Sequence, residues 1–300
     1  MRRATLAFIL LACALAWLVA LPLWLDGGLE NPLVGVLLPV MMYTPALAVL
    51  IVMLVMRPIP KGERLRFLGM WPLRPAKRVI GLSVLGLLGP IALIVLSVLV
   101  AAFCGWVRLD LVGFSGYSEA LAASLPDGVE TPPAAVLVVI QLVSIPFAAA
   151  TINAVMAFGE ELGWRGFLVP ALRPLGTWPA LLVSGAIWGL WHSPVILLGY
   201  NFGRTDLTGV LFMTGGCIAW GVLLGWLRLR TASVWPAVFA HGAMNAAAGM
   251  IVLFAAAGSS YDMALAGPLG VAGWIVCAVA IVVLALTGQF RRQPALSAPR

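Results

Sequence analysis

Charge is scarce in this chain. Only 10% of its 300 residues are Asp, Glu, Lys or Arg, against 62% hydrophobic, and the mean hydropathy is +1.06. No water-soluble domain of that composition could cover its core with a polar surface. Lysine is nearly missing, since arginine outnumbers it sixteen to two; beside abundant alanine, glycine and leucine this points to a GC-rich bacterial coding bias. Cysteine is sparse: Cys13, Cys104, Cys217 and Cys277 form no short-spaced pair and have no histidine nearby in sequence. That argues against a disulfide framework and against a cysteine-based metal site. Walker loops, dinucleotide fingerprints, internal repeats and low-complexity segments are absent too.

What is present is a series of apolar runs. Eight of them, at 4–25, 33–56, 79–103, 134–157, 178–200, 207–227, 233–256 and 267–287, are each long enough for a ~30 Å hydrocarbon core at about 1.5 Å per residue. The expected fold is therefore all-α, a polytopic membrane protein of about eight transmembrane helices. Met1-Arg2-Arg3 before the first run resembles a secretory signal, but that run is longer than a signal core, so it is expected to stay as the first helix.

The formal charge of +7 and a pI near 9.8 reflect basic residues lying in the gaps between apolar runs. That is a topology signal, and it implies the lipid bilayer as partner and no nucleic acid. With the N-terminus in the cytoplasm, sixteen of the eighteen basic residues fall inside, Arg108 and Arg204 being the exceptions. Asp26, Glu30, Asp110, Glu119, Asp127, Glu130 and Asp262 fall outside. Both termini, Arg300 included, are expected in the cytoplasm, with the protein in the inner (cell) membrane. Residues 57–78, which mix basic residues with Leu65, Phe67, Leu68, Met70 and Trp71, read equally as a segment on the inner leaflet or as a solvated loop. The stretch 124–133 reads as a loop because of its prolines and glycine. Small-residue pairs, Gly159 with Gly163, Gly185 with Gly189 and Gly221 with Gly225, read as helix-packing positions.

Against this background the few polar groups inside apolar runs stand out. Glu160, Glu161 and Arg165 lie at the end of the fourth run, His192 in the fifth, and His241 and Asn245 in the seventh. Ionisable residues at such depth are costly and usually functional. On a helix, Glu161 and Arg165 at i, i+4 can pair, whereas Glu160 is rotated about 100° away. Glu160 then reads as a general base and Glu161 as the structural partner of Arg165. His241 and Asn245 share one helical face, and Trp188 precedes His192 by four residues and can wall it.

Glu160-Glu161-x-x-x-Arg165, Trp188-x-x-x-His192 and His241-x-x-x-Asn245, in this order on successive apolar segments, resemble the three motifs of the CPBP (ABI) family of intramembrane proteases, which includes the type II CAAX prenyl endopeptidases. The resemblance covers about 134–256 and divides the chain into N-terminal helices with a basic loop (1–133), a protease-like core (134–256) and a last helix with a basic tail (257–300). Trp188 stands where the family often has phenylalanine. The resemblance implies an endopeptidase cutting a membrane-associated or lipidated peptide, with Glu160 and His192 activating a water and His241 with Asn245 stabilising the oxyanion. Glu161, Arg165 and Trp188 would support them.

Two expectations remain open from the sequence. Glu160, His192 and His241 could form a His₂Glu zinc set, although no His-x-x-x-His pair is present and the separate base would then be Glu161. The preferred expectation is no cofactor. The site is expected near the cytoplasmic face, with His192 about 21 Å along its segment from Trp178. The rival class is a non-catalytic scaffold, a bacteriocin-immunity protein or a small-solute transporter; polar groups continuous to both faces would favour transport, and a pocket open only inward would favour hydrolysis.

Overall fold

The computed structural model describes residues 1–126 and 131–294, so Asp127, Glu130 and Arg300 lie outside the described residues. It is all-helical: among the described residues the only β-type pairing is an isolated antiparallel bridge between Leu109 and Ala255. The first part comprises α1 (Arg2–Leu25), α2 (Val34–Met42), α3 (Thr44–Val55), the short α4 (Arg64–Phe67), α5 (Ala76–Phe103) and α6 (Ser115–Ser124). Then come α7 (Ala134–Ala150), α8 (Ile152–Glu161), a π-helical stretch Leu162–Leu168 and α9 (Val169–Leu172). The chain continues through α10 (Thr177–Trp191), α11 (Ser193–Ile196), α12 (Leu207–Thr231), α13 (Trp235–Ala247), α14 (Met250–Phe254), α15 (Met263–Ala266) and α16 (Val271–Leu286).

Helix α1 shows how a membrane helix is patterned. Its buried positions Ala4, Phe8, Ala12, Ala16 and Ala20 recur every four residues, so one stripe of mostly small side chains faces the bundle. The bulkier Leu6, Leu10, Leu18 and Leu25 are exposed. In lipid, close approach of small residues favours association more than hydrophobicity does.

Five helical units are long and apolar enough to cross a membrane: Arg2–Leu25, Val34–Val55, Ala76–Phe103, Leu207–Thr231 and Met263–Leu286. A sixth is the pair Ala134–Ala150 and Ile152–Leu175, bent by 43°. The fifth and seventh expected runs depart from the simple picture. They hold α10 of 15 residues and α13 of 13 residues, each followed by a turn and a short helix. At about 1.5 Å per residue both fall short of the hydrocarbon core. Hydropathy sees a continuous apolar run; the backbone breaks it where polar groups are needed, which lipid tolerates only where the break lies against protein or a cavity.

The bend at Thr151 has a local cause. Pro146 lies one turn upstream inside α7, and the Thr151 hydroxyl donates back to the Phe147 carbonyl at 2.6 Å. A missing donor and a back-bonding threonine both weaken a helix at that point. The bend turns α8 toward the bundle. Helix α10 lies against α12 so closely that a Cβ on Gly185 would sit 2.8 Å from the Ile218 Cα and one on Gly189 2.4 Å from the Thr214 Cα. Only glycine allows that contact.

Residues 57–78 are neither a free loop nor a purely surface segment. Phe67 and Leu68 are buried, and backbone carbonyls tie the segment to the bundle. Val234 N–H donates to the Gly69 carbonyl at 2.9 Å and the Trp235 indole N–H to the Met70 carbonyl at 3.2 Å. Arg228, grouped by its sequence position with solvated cytoplasmic charges, is in fact 1% exposed. It donates to the Phe67 carbonyl at 2.7 Å and to the Arg165 carbonyl at 3.0 Å.

Candidate active site

Three stretches far apart in sequence bring the polar residues together. The end of α8 and the π-helical stretch carry Glu160, Glu161 and Arg165; α10 and the residue after it carry Trp188 and His192; α13 carries His241 and Asn245. A π-helical turn inside a helix frequently marks a functional site, because the widened turn re-aims its side chains. Here that turn keeps Arg165 1% exposed, next to Glu161 at 0% and Glu160 at 2%.

Glu161 is the anchor of one group. Its Oε1 accepts from Arg165 Nη1 at 2.8 Å and lies 2.8 Å from His241 Nδ1. A carboxylate oxygen facing a ring nitrogen assigns the hydrogen to Nδ1, so His241 keeps Nε2 for another partner. Glu161 Oε2 has no hydrogen-bond partner. The expected Glu161–Arg165 pair is therefore present, and it also holds a histidine from α13.

Trp188 organises the other group. Its indole N–H donates to Glu160 Oε2 at 2.6 Å. Its ring carries the Arg165 guanidinium 4.3 Å from the centroid and meets His241 edge-on at 5.2 Å. The expected contact with His192 is there as well, the ring centroids being 5.8 Å apart. His192 Nδ1 lies 2.9 Å from the Trp188 carbonyl. A carbonyl only accepts, so Nδ1 carries the hydrogen and Nε2 of the neutral ring is an acceptor.

Glu160, Trp188, His192, His241 and Asn245 line one cavity of about 410 Å³. Sequence reasoning passed over Asn153, Met156, Tyr200 and Asn201, which line it too. A signal existed for the first two: positions 153, 156 and 160 follow the i, i+3, i+7 spacing of one helical face. Tyr200 and Asn201 belong to the turn before α12 and carry no periodic signal. A larger groove of 630 Å³ lies elsewhere, between α5, α12, α13 and α16, with an apolar lining that includes Leu93, Leu224 and Val276.

The cavity sits at an unexpected end of the bundle. Its walls include Val34 and Gly35 at the start of α2, Asn201 after α11, and Leu269 before α16. The basic residues gather at the opposite end, where Arg230 bonds the Arg292 carbonyl and Arg173 bonds Gln293. From sequence the site and the basic loops are expected at one face; in this fold the cavity and the basic residues lie at opposite ends. The hydropathy pattern gave each helix a direction but not the depth at which its side chains meet.

The donor set bears on the zinc alternative. Among the described residues, no group of three or more His, Cys, Asp or Glu side chains is placed to hold a metal ion.

Residues 141–247 match a family model described as type II CAAX prenyl endopeptidase Rce1-like. That part of the chain is similar to the CAAX protease core of the CPBP family. The matched part is just over a third of the chain and contains α8, the π-helical stretch, α10 and α13, hence every site residue named above. The matched family is one of proteases. Among curated proteins no sequence matches this chain.

Proposed function

We propose that this protein is an intramembrane endopeptidase that hydrolyses a peptide bond with a glutamate-activated water. The observation that carries the reading is the convergence of Glu160, His192, His241 and Asn245, from three separate segments, on one cavity whose remaining walls are largely apolar. In this reading a water sits between Glu160 and His192. The Glu160 carboxylate takes one proton as the water oxygen attacks the peptide carbonyl, while His192 Nε2 accepts a hydrogen bond from the other. The Trp188 indole N–H fixes one Glu160 oxygen and leaves the second for the water. Collapse of the tetrahedral intermediate breaks the C–N bond, and the proton held by Glu160 goes to the leaving amine.

The oxyanion needs donors in place before the reaction. Asn245 supplies an amide N–H₂ from the face of α13 that also carries His241. Doubly protonated, His241 would give Nδ1–H to Glu161 and direct Nε2–H as a second donor. No metal takes part in this reading.

The test is cleavage by purified protein of a farnesylated CAAX-type reporter and of a membrane-peptide library, with and without a strong chelator. Cleavage indifferent to chelator is the expected result. Cleavage lost with chelator and restored by zinc would sink the metal-free reading, and folded protein that cuts nothing would sink the peptidase.

A further inference from the structure

We propose that the catalytic cavity opens to the extracytoplasmic side, so that its substrates are peptide bonds in the outer half of the bilayer or in segments already translocated. The substrate part rests on the hydrolytic reading above; the orientation does not.

The first observation is depth. Trp24 stands 22 residues along α1 from Arg2, about 33 Å at the helical rise, and its indole N–H donates to the Pro194 carbonyl at 2.8 Å. Pro194 is two residues beyond His192, which puts His192 near the end of the bundle away from Arg2 and Arg3. Helix α12 gives the same answer. Met213, in the cavity wall, lies about 9 Å from the start of that helix and about 27 Å from its end at Thr231, beside Arg230.

The second observation is closure. Between Glu160 and the basic end lies a layer of packed aromatic side chains. Phe8 packs on Trp164 with centroids 5.5 Å apart and on Phe167 at 5.0 Å, and Phe67 packs on Phe167 at 6.0 Å. All four are at most 2% exposed. Beneath them Arg228 ties Phe67 to the π-helical stretch, so the segment around α4 plugs that end.

The third observation is charge. Arg2, Arg3, the basic residues of 57–78, Arg173, Arg230 and Arg291–Arg292 share the plugged end, while the open end holds Asp26, Glu30, Asp110, Glu119, Asp206 and Asp262 with Arg108 and Arg204. Short loops rich in Lys and Arg stay in the cytoplasm. The plugged end is therefore cytoplasmic and the open end faces out. A cytosolic protein tail would meet the plug; a translocated or transmembrane peptide would meet the cavity.

Two measurements test this in membranes carrying the full chain. Native Cys104, exposed at the end of α5, and Val34→Cys at the cavity mouth should react with a membrane-impermeant maleimide in intact cells. Leu65→Cys, at an exposed position in α4, should react only after permeabilisation. The reverse pattern would overturn the orientation. Next, a membrane-impermeant peptide found to be cleaved by detergent-solubilised enzyme is added to sealed right-side-out and inverted vesicles. Cleavage at least about tenfold faster in right-side-out vesicles is expected; equal rates or faster cleavage in inverted ones would overturn the substrate assignment. If labelling follows the expected pattern and the solubilised enzyme cleaves nothing, the orientation stands and the hydrolytic reading fails.

Discussion

At the scale of single residues, Trp188 connects more of the site than any other side chain described. It donates to Glu160, carries Arg165 on its face and stands edge-on to His241. Trp188→Phe keeps a ring and removes the donor. A hydrogen bond to a charged group is worth about 1.5–3 kcal/mol, so kcat is expected to fall by about tenfold or more, with a shifted pH–rate profile and a thermal midpoint close to wild type. A profile that coincides with wild type would remove Trp188 from the account of the base. Glu161 behaves differently, because it holds both Arg165 and His241 at 0% exposure. Breaking a buried ion pair costs about 3–5 kcal/mol; Glu161→Ala is expected to lower the melting temperature markedly as well as abolish turnover. The Glu161–Arg165 contact was legible in the sequence, since its i, i+4 spacing needs only a helix. The His241–Glu161 contact spans 80 positions and depends on how α13 docks, which no local spacing encodes.

At the scale of elements, the α10–α12 contact places His192 over the cavity. Gly189→Val would drive a side chain into the Thr214 backbone, and overpacking of this kind costs about 1–3 kcal/mol. The expected outcome is a lower thermal midpoint together with lost activity, since His192 follows three residues later. A wild-type midpoint for this variant would show that the helices can part without cost. The loop between α5 and α6 has its own device. The Ser115 hydroxyl and the N–H groups of Gly113, Ser115 and Val112 hold the Asp110 carboxylate down to about 2 from its ordinary 3.8. A depressed carboxylate stabilises at pH above its unfolded value and loses that contribution as pH falls through its folded one. Asp110→Ala should therefore speed amide exchange at Gly113 and Ser115 at pH 5, with the difference shrinking between pH 3.8 and about 2. A difference that persisted below that range would show another group to be responsible. Of this level the sequence showed the apolar runs but not their breaks. The interruptions after Ala150, Trp191 and Ala247 involve proline, threonine and polar side chains too few to lower an averaged hydropathy.

At the scale of the whole molecule, the structure separates two ends that the sequence had merged. Runs of charge between apolar segments gave the all-helical membrane class and the placement of the basic loops. They could not show that the α4 segment folds back under the site, because Phe67 and Leu68 look in sequence like the apolar face of a surface helix. Its docking on Arg228 and Val234 packs the end of the bundle away from the cavity. The central claim is that Glu160 acts on the water whereas Glu161 holds the framework. It is tested most directly by measuring kcat and thermal midpoint for Glu160→Gln beside wild type. The account expects turnover to fall by a factor of at least about 10², with a midpoint within about 3 °C, the shift expected of a change under about 1 kcal/mol. Turnover near wild type in a folded Glu160→Gln protein would contradict it.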